Sequence, residues 1–282
     1  MQELRGLPVV DSLAEKFKVQ IEELAKNNIV PKLAVVRVGE RGDDIAYEKG
    51  IIKRFSSVNA EVELLSAPLD ISQDALEQMI ISLNGDERVH GIIVFRPLPK
   101  HLSEARLKTV IGDEKDVDCM GITNTARVFE GNKTGYAPCT PQAVVEILDY
   151  YGIELTGKKV TIIGRSLVVG KPLAMLLLDR NATVTICHTK TLNLAEECKK
   201  ADILIPCAGA AKMVGEKFTH SEQIIIDVGI NYMDGALCGD VDYEAVANKV
   251  AAITPVPGGV GTVTTSVLLK HTIKSALNKI AR

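Results

Sequence analysis

Residues 160–172, Val-Thr-Ile-Ile-Gly-Arg-Ser-Leu-Val-Val-Gly-Lys-Pro, constrain the fold more than any other stretch of this chain. A buried apolar run meets a glycine, and a helix opens at once. Val160 to Ile163 read as a central parallel strand, Gly164 lets the chain turn, and Ser166 with the free N–H groups of the helix start faces an anion. Gly170 permits close helix-to-sheet packing, and Pro172 suits a first helical turn. The spacing is G-x-S-x-x-x-G, where the common dinucleotide fingerprint is G-x-G-x-x-G. The residues alone leave open both a phosphate site and an ordinary strand-to-helix turn.

The surrounding pattern repeats the same unit. An amphipathic helix is predicted over 11–27, where Leu13, Phe17, Ile21 and Leu24 recur at three and four residues. Strands follow at Lys32 to Val38, Glu61 to Leu65 and Gly91 to Phe95, alternating with helices at Tyr47 to Phe55 and Gln73 to Asn84; Gly39 to Asp44 reads as a polar turn. Residues 119–138 read as irregular, and a helix from Pro141 to Tyr150 leads into a second series of strands at 160–163, 182–187, 203–206, 224–228 and 251–253. Thr254 to Gly261 is a loop, and Thr264 to Ala281 a long helix that returns to the first domain. Strands alternating with helices of this length predict an α/β chain with mostly parallel sheets.

At 282 residues, 46 % apolar and 24 % charged, the chain is long enough for two domains. The net charge of −3 is spread without a Lys/Arg block, which argues against a nucleic-acid surface. No apolar run reaches the roughly 20 residues that span a bilayer, and no signal-peptide pattern opens the chain, so a cytoplasmic protein is expected. The six scattered cysteines have no metal-binding spacing and read as reduced structural thiols. No metal site is expected.

Four segments in order carry a more specific signal: the 164–172 turn, Ala182-Thr-Val-Thr-Ile-Cys-His-Thr-Lys-Thr191, Asp227-Val-Gly-Ile-Asn231, and Pro255-Val-Pro-Gly-Gly-Val-Gly261. With Lys115-Asp-Val-Asp118 and Pro138-Cys-Thr-Pro141, they resemble the methylenetetrahydrofolate dehydrogenase/methenyltetrahydrofolate cyclohydrolase family over essentially the whole chain. The resemblance implies an N-terminal α/β domain (1–139 plus 264–282), a C-terminal Rossmann-type NAD(P)-binding domain (140–263), a folate cleft between them, homodimers, and a role in one-carbon metabolism. It also implies that Gly164, Arg165, Ser166, Gly170, Thr189 and Ile230 line the cofactor site, and that Tyr47, Asp118, Pro257, Gly258 and Gly259 bind a tetrahydrofolate substrate. For Ile230 the residues alone favour simple packing after a strand, and for Asp118 a loop or helix-cap role.

Cofactor choice is legible in the charges. NAD-selective folds place an acidic residue about 20 positions after the glycine turn, on the ribose 2′-hydroxyl. Here the second strand ends in His188-Thr189-Lys190, without a carboxylate. With Arg165 this favours the 2′-phosphate of NADP over NAD, which stays possible. His188 itself reads as structural.

The chain departs from the family where the substrate would sit. The family carries Tyr-x-x-x-Lys on one helix face; Tyr47 matches, but the lysine position is Ile51. The family's Val-Gln-Leu-Pro-Leu-Pro is Val94-Phe95-Arg96-Pro97-Leu98-Pro99, so Phe95 replaces the glutamine. The resemblance ties that lysine to general acid/base work with the glutamine as its partner. Losing both to apolar groups is nearly neutral for stability, whereas losing one would strand the other. Lys49 and Lys53 point away from Tyr47's face, and Arg54 is no general base near neutral pH. Arg96 reads either as an anion binder or as a solvated residue beside Pro97. Asp44 stands at a family serine, Cys119, Met120 and Gly121 follow Asp118 where Gly-Phe-His is usual, and Thr262-Val263 replaces Pro-Met.

Hydride transfer from 5,10-methylenetetrahydrofolate to nicotinamide depends on the placement of two reactants, worth roughly 7–11 kcal/mol in well-oriented cases. Hydrolysis of the methenyl product needs a positioned acid/base, and tyrosine, with an ordinary pKa near 10, is a poor one. A dehydrogenase with weak or absent cyclohydrolase activity is therefore expected. The alternatives are the conventional bifunctional enzyme, a non-catalytic nucleotide- or folate-binding partner, and a Rossmann reductase of another small substrate.

Overall fold

The computed structural model describes residues 1–233 and 235–280. In chain order the elements are β1 (Gln2–Glu3), α1 (Gly6–Lys26), β2 (Lys32–Val38), α2 (Gly42–Ser56), β3 (Glu61–Ala67), α3 (Gln73–Gly85), β4 (Gly91–Val94), α4 (Glu104–Val110), α5 (Ile122–Phe129) and α6 (Cys139–Tyr150). The second half runs β5 (Lys159–Ile163), α7 (Gly170–Leu178), β6 (Thr183–Cys187), α8 (Leu194–Lys199), β7 (Ile203–Pro206), β8 (Ile224–Ile225), β9 (Asn231–Met233), β10 (Ala236–Cys238), α9 (Tyr243–Val246), β11 (Ala252–Ile253) and α10 (Val260–Ile280). No helix among the described residues is long and apolar enough to cross a membrane. All six cysteines are unbonded.

The chain divides into two compact units: Met1–Asp11 with Thr140–Thr264, and Ser12–Cys139 with Thr265–Arg282. The units differ from the expected domains at the start of the chain, where residues 1–11 group with the later segment. The reason is a strand pairing: Gln2 and Glu3 lie parallel to Ala252 and Ile253, which makes β1 the edge strand of the later unit's sheet. That sheet has the order β1-β11-β8-β7-β5-β6 and is parallel throughout. Its β5 and β7 interiors are buried and, apart from Thr161, apolar, as strands covered on both faces tend to be. One core of this unit joins Ile163, Leu204, Ile225 and Ile253 from the strands to Val246 and Val250.

The other unit holds a three-stranded parallel sheet, β3-β2-β4. Central β2 is buried from Leu33 to Val38, and its Ala34 and Val36 pack with Leu76, Ile80 and Leu83 of α3. Ser72 caps α3 by accepting from the Ala75 N–H, which satisfies one of the donors a helix start leaves over.

Several boundaries differ from the sequence reading. Helix α1 begins at Gly6 rather than residue 11, α2 at Gly42 in the stretch read as a turn, α6 at Cys139, and α10 at Val260 within the predicted loop; Ala281 lies outside the described residues. Helix α5 stands inside the stretch read as irregular. The buried Asp116 carboxylate accepts from the N–H groups of Met120 and Gly121, the two residues just before the helix, and from Asn124 Nδ2 within it, and so fixes where the helix begins. Helix α4, capped by Ser103, was also not anticipated. Strand β8 is two residues long rather than five, because the Asp227 N–H leaves the ladder to reach Thr254 Oγ1 at 2.8 Å.

Candidate active site

In the unit with the six-stranded sheet, the turn from β5 to α7 is built by backbone shape. Gly164 has φ +142°, which disfavours any side chain, and its N–H donates to the Cys187 carbonyl at 2.9 Å. A Cβ on Gly170 would come within 2.1 Å of the Gly164 carbonyl oxygen, so the helix start presses directly on the glycine turn. Ser166 Oγ accepts from the Val169 N–H at 3.0 Å, ordering the approach to the helix and leaving its O–H free to donate. Arg165 and Ser166 are exposed there, and Thr189 and Lys190 are exposed at the end of β6. His188 closes its own turn: its N–H donates to Thr191 Oγ1 at 2.9 Å and its Nδ1 accepts from the Lys190 N–H at 3.1 Å.

A cavity of about 220 Å³ in the same unit is lined by residues 227–230, Leu237 and residues 255–262. It brings Ile230 together with Pro257, Gly258 and Gly259, which the sequence reading had assigned to separate cofactor and substrate groups. Ile230 is 61 % exposed, so packing under the strand is not its role. Two buried aspartates hold this wall. Asp227 accepts from the N–H groups of Gly229, Asp240 and Val241, and burial raises its carboxyl to about 6. Asp240 accepts from Ala208, Gly209 and Ala210 N–H and from Asn231 Nδ2. The sequence reading passed over Asp240; only its place in a turn after Gly239 hinted at such a role. The Gly6 N–H donates to the Gly258 carbonyl at 2.8 Å and fixes the far loop.

In the other unit, side chains define the region around Tyr47. The ring of Tyr47 lies 5.6 Å from that of Phe95, tilted by 42°, a favourable aromatic contact. One helical turn on, Ile51 is fully buried. The lysine and glutamine positions of the family motif are thus filled by packed apolar groups, while Lys49 and Lys53 are exposed.

Asp118 is the polar centre of this unit's site. Its Oδ1 accepts from the Cys139 N–H at 3.0 Å, and its Oδ2 meets Arg96 Nη2 at 3.3 Å. Arg96 also reaches Glu104 Oε1 at 3.5 Å, and its side chain is 16 % exposed, which corrects the reading of a freely solvated arginine. Upstream, Lys115 Nζ donates to the carbonyls of Leu83, Asn84 and Asp86 and so closes the end of α3. Asp116 is buried on Met120, Gly121 and Asn124, and burial raises it to about 6. Burial likewise pushes the Cys119 thiol up to about 12, so it is an inert thiol at neutral pH.

Comparison with known proteins matches both halves of the chain to one family. Residues 4–118 match the tetrahydrofolate dehydrogenase/cyclohydrolase catalytic domain, and residues 138–280 the NAD(P)-binding domain of the same family. The bifunctional protein FolD of Clostridioides difficile is 52 % identical over 275 residues, covering 97 % of this chain and 96 % of that protein. The crystal structure of the FolD methylenetetrahydrofolate dehydrogenase/cyclohydrolase of Campylobacter jejuni superposes with a TM-score of 0.96 at 37 % identity, covering 99 % of both chains. A Trypanosoma brucei methylenetetrahydrofolate dehydrogenase-cyclohydrolase, solved with NADP cofactor and an inhibitor, has a TM-score of 0.92 at 32 % identity, covering 99 % of this chain and 98 % of that one. This chain belongs to the tetrahydrofolate dehydrogenase/cyclohydrolase family.

Proposed function

We propose that the protein oxidises 5,10-methylenetetrahydrofolate to 5,10-methenyltetrahydrofolate with NADP. The observation that carries this reading is the β5–α7 turn, where glycine packing leaves helix-start N–H groups beside exposed Ser166 and Arg165, and where the end of β6 offers Thr189 and Lys190 but no carboxylate. That donor set fits a dinucleotide with a 2′-phosphate: Gly164, Ser166 and Gly170 would hold the pyrophosphate side, Arg165, Thr189 and Lys190 the extra phosphate. NADP supplies the hydride acceptor. Ile230 and the 257–259 backbone would shape the wall of the reaction space, with the last three also facing folate. Asp118 would take the donors of the pterin ring, and Tyr47, backed by Phe95, would present a flat face to it. The chain's contribution is chiefly placement of two reactants and exclusion of water.

For the second activity, the names of the relatives favour the conventional bifunctional enzyme over the dehydrogenase-only expectation. A specific observation keeps the second reading in play: Ile51 is buried and Phe95 packs on Tyr47, so neither position offers an acid or base. Nicotinamide reduction with 5,10-methylenetetrahydrofolate, followed by methenyltetrahydrofolate hydrolysis above its spontaneous rate, tests both. Both activities support the bifunctional enzyme, reduction alone the dehydrogenase-only reading, and neither refutes the proposal. A homodimer is proposed on the family resemblance, with sedimentation equilibrium as its test.

A further inference from the structure

The residue after Phe95 introduces a cation where the family motif has a leucine. Arg96 follows β4 and lies between two carboxylates: Nη2 is 3.3 Å from Asp118 Oδ2 and Nη1 is 3.5 Å from Glu104 Oε1. Lys108 Nζ, one helical turn along α4, holds Glu104 Oε1 at 3.3 Å, so the guanidinium is braced from its far side. A guanidinium carries five N–H donors, and these two contacts leave donors over. Asp118 Oδ1 accepts from the Cys139 N–H and Oδ2 from Arg96, and the Cys139 thiol also bonds this carboxylate; an ionised carboxylate has about four lone-pair sites, so it keeps acceptor capacity. Side by side, the two groups offer acceptor, acceptor, donor.

That array is the complement of one edge of a 2-amino-4-oxo-pyrimidine, which reads donor (2-amino), donor (N3–H), acceptor (4-oxo). A carboxylate alone satisfies the two donors and leaves the oxo oxygen to water. We propose that Arg96 is a specificity-determining residue that donates to the 4-oxo oxygen of the pterin while Asp118 accepts from the 2-amino and N3–H groups, so that the pair selects 4-oxo over 4-amino pterins. The inference rests on the folate reading above. It assigns a substrate contact to a side chain that the family motif lacks at this position, and it explains why an arginine is held in a fixed, largely covered position there.

The test is competitive inhibition of NADP reduction by tetrahydrofolate and by 4-amino-4-deoxytetrahydrofolate, in the wild type, Arg96→Leu and Arg96→Lys. Losing a charged donor from a matched acceptor costs roughly tenfold to a hundredfold in affinity. The expected result is that Arg96→Leu loses that much for tetrahydrofolate and less than threefold for the 4-amino compound, with KM for methylenetetrahydrofolate rising more than kcat falls. Arg96→Lys, which keeps one donor and the charge, should retain part of the preference; it also serves if Arg96→Leu fails to fold, as judged by its melting curve and NADP binding. Equal weakening of both inhibitors would show that Arg96 only orients Asp118 and overturns the proposal, as does an unchanged ratio or a wild type inhibited by neither compound. A wild type that reduces no NADP refutes the folate reading itself, whereas turnover with an unchanged ratio refutes Arg96 alone.

Discussion

The two units build their candidate sites from different material. Around β5 and α7 the site is backbone: glycines whose missing Cβ atoms let one segment touch another, and loop N–H groups tied to buried Asp227 and Asp240. Around Tyr47 the site is side chain: an aromatic pair, a buried isoleucine and an arginine–aspartate contact. A site made of backbone cannot be edited without moving the chain. A site made of side chains can be rewritten residue by residue while the sheet beneath it stays put, and this is where the sequence departs from its family's motifs.

The largest test of that contrast is to rewrite the side-chain site back. Ile51→Lys combined with Phe95→Gln should raise methenyltetrahydrofolate hydrolysis by about 10²-fold or more, the usual worth of a positioned acid/base. Ile51→Lys alone should instead lower the melting temperature, since it buries an ammonium without its partner. A wild type that already hydrolyses as fast as the double variant would break the comparison by showing that the chemistry does not reside at these two positions.

A feature the two units share gives the next effect. Burial raises both Asp116 and Asp227 from the ordinary 3.8 to about 6. A carboxyl whose folded pKa lies above its unfolded value contributes stability that is fully present below about pH 4 and lost as pH rises through 6. Each is worth on the order of 3 kcal/mol across that window. Melting followed from pH 5 to pH 7.5 should therefore fall more steeply in the wild type than in Asp116→Asn or Asp227→Asn; parallel profiles would count against this.

Gly170→Ala probes the backbone-built site. Its methyl would meet the Gly164 carbonyl, and overpacking of this kind costs about 1–3 kcal/mol. Loss of NADP binding should accompany the loss of stability. Retained binding would show that the turn relaxes as easily as a side-chain pocket does. The smallest effect is expected at the exposed rim: Arg165→Ala should lower the preference for NADP over NAD by about threefold to tenfold, measured as a ratio of kcat/KM values, because a solvated cation contributes little.

Much of the architecture was legible because its signals are local. The apolar runs at Val160 to Ile163 and Lys32 to Val38, the glycine at 164 and the period of Leu13, Phe17 and Leu24 each declare an element within a few residues. What escaped depends on partners far along the chain. Strand β8 is cut short by Thr254, and β1 exists only against β11. The site divided the same way. Tyr47, Asp118 and the glycine turn stand in motifs, whereas the grip of Asp240 on residues 208–210 and the pairing of Arg96 with Asp118 need the fold to bring them together.

The pairing of Gln2 with Ala252 also sets an order of events during synthesis. Gln2 and Glu3 have no sheet to join until Ala252 and Ile253 have been made. Closing so long a loop adds little to the equilibrium cost, which grows only with the logarithm of length, but contacts this distant in sequence form late. Gln2 and Glu3 must therefore stay unpaired until β11 emerges, and the unit that contains the β5–α7 turn is completed last by the earliest-made of its own segments.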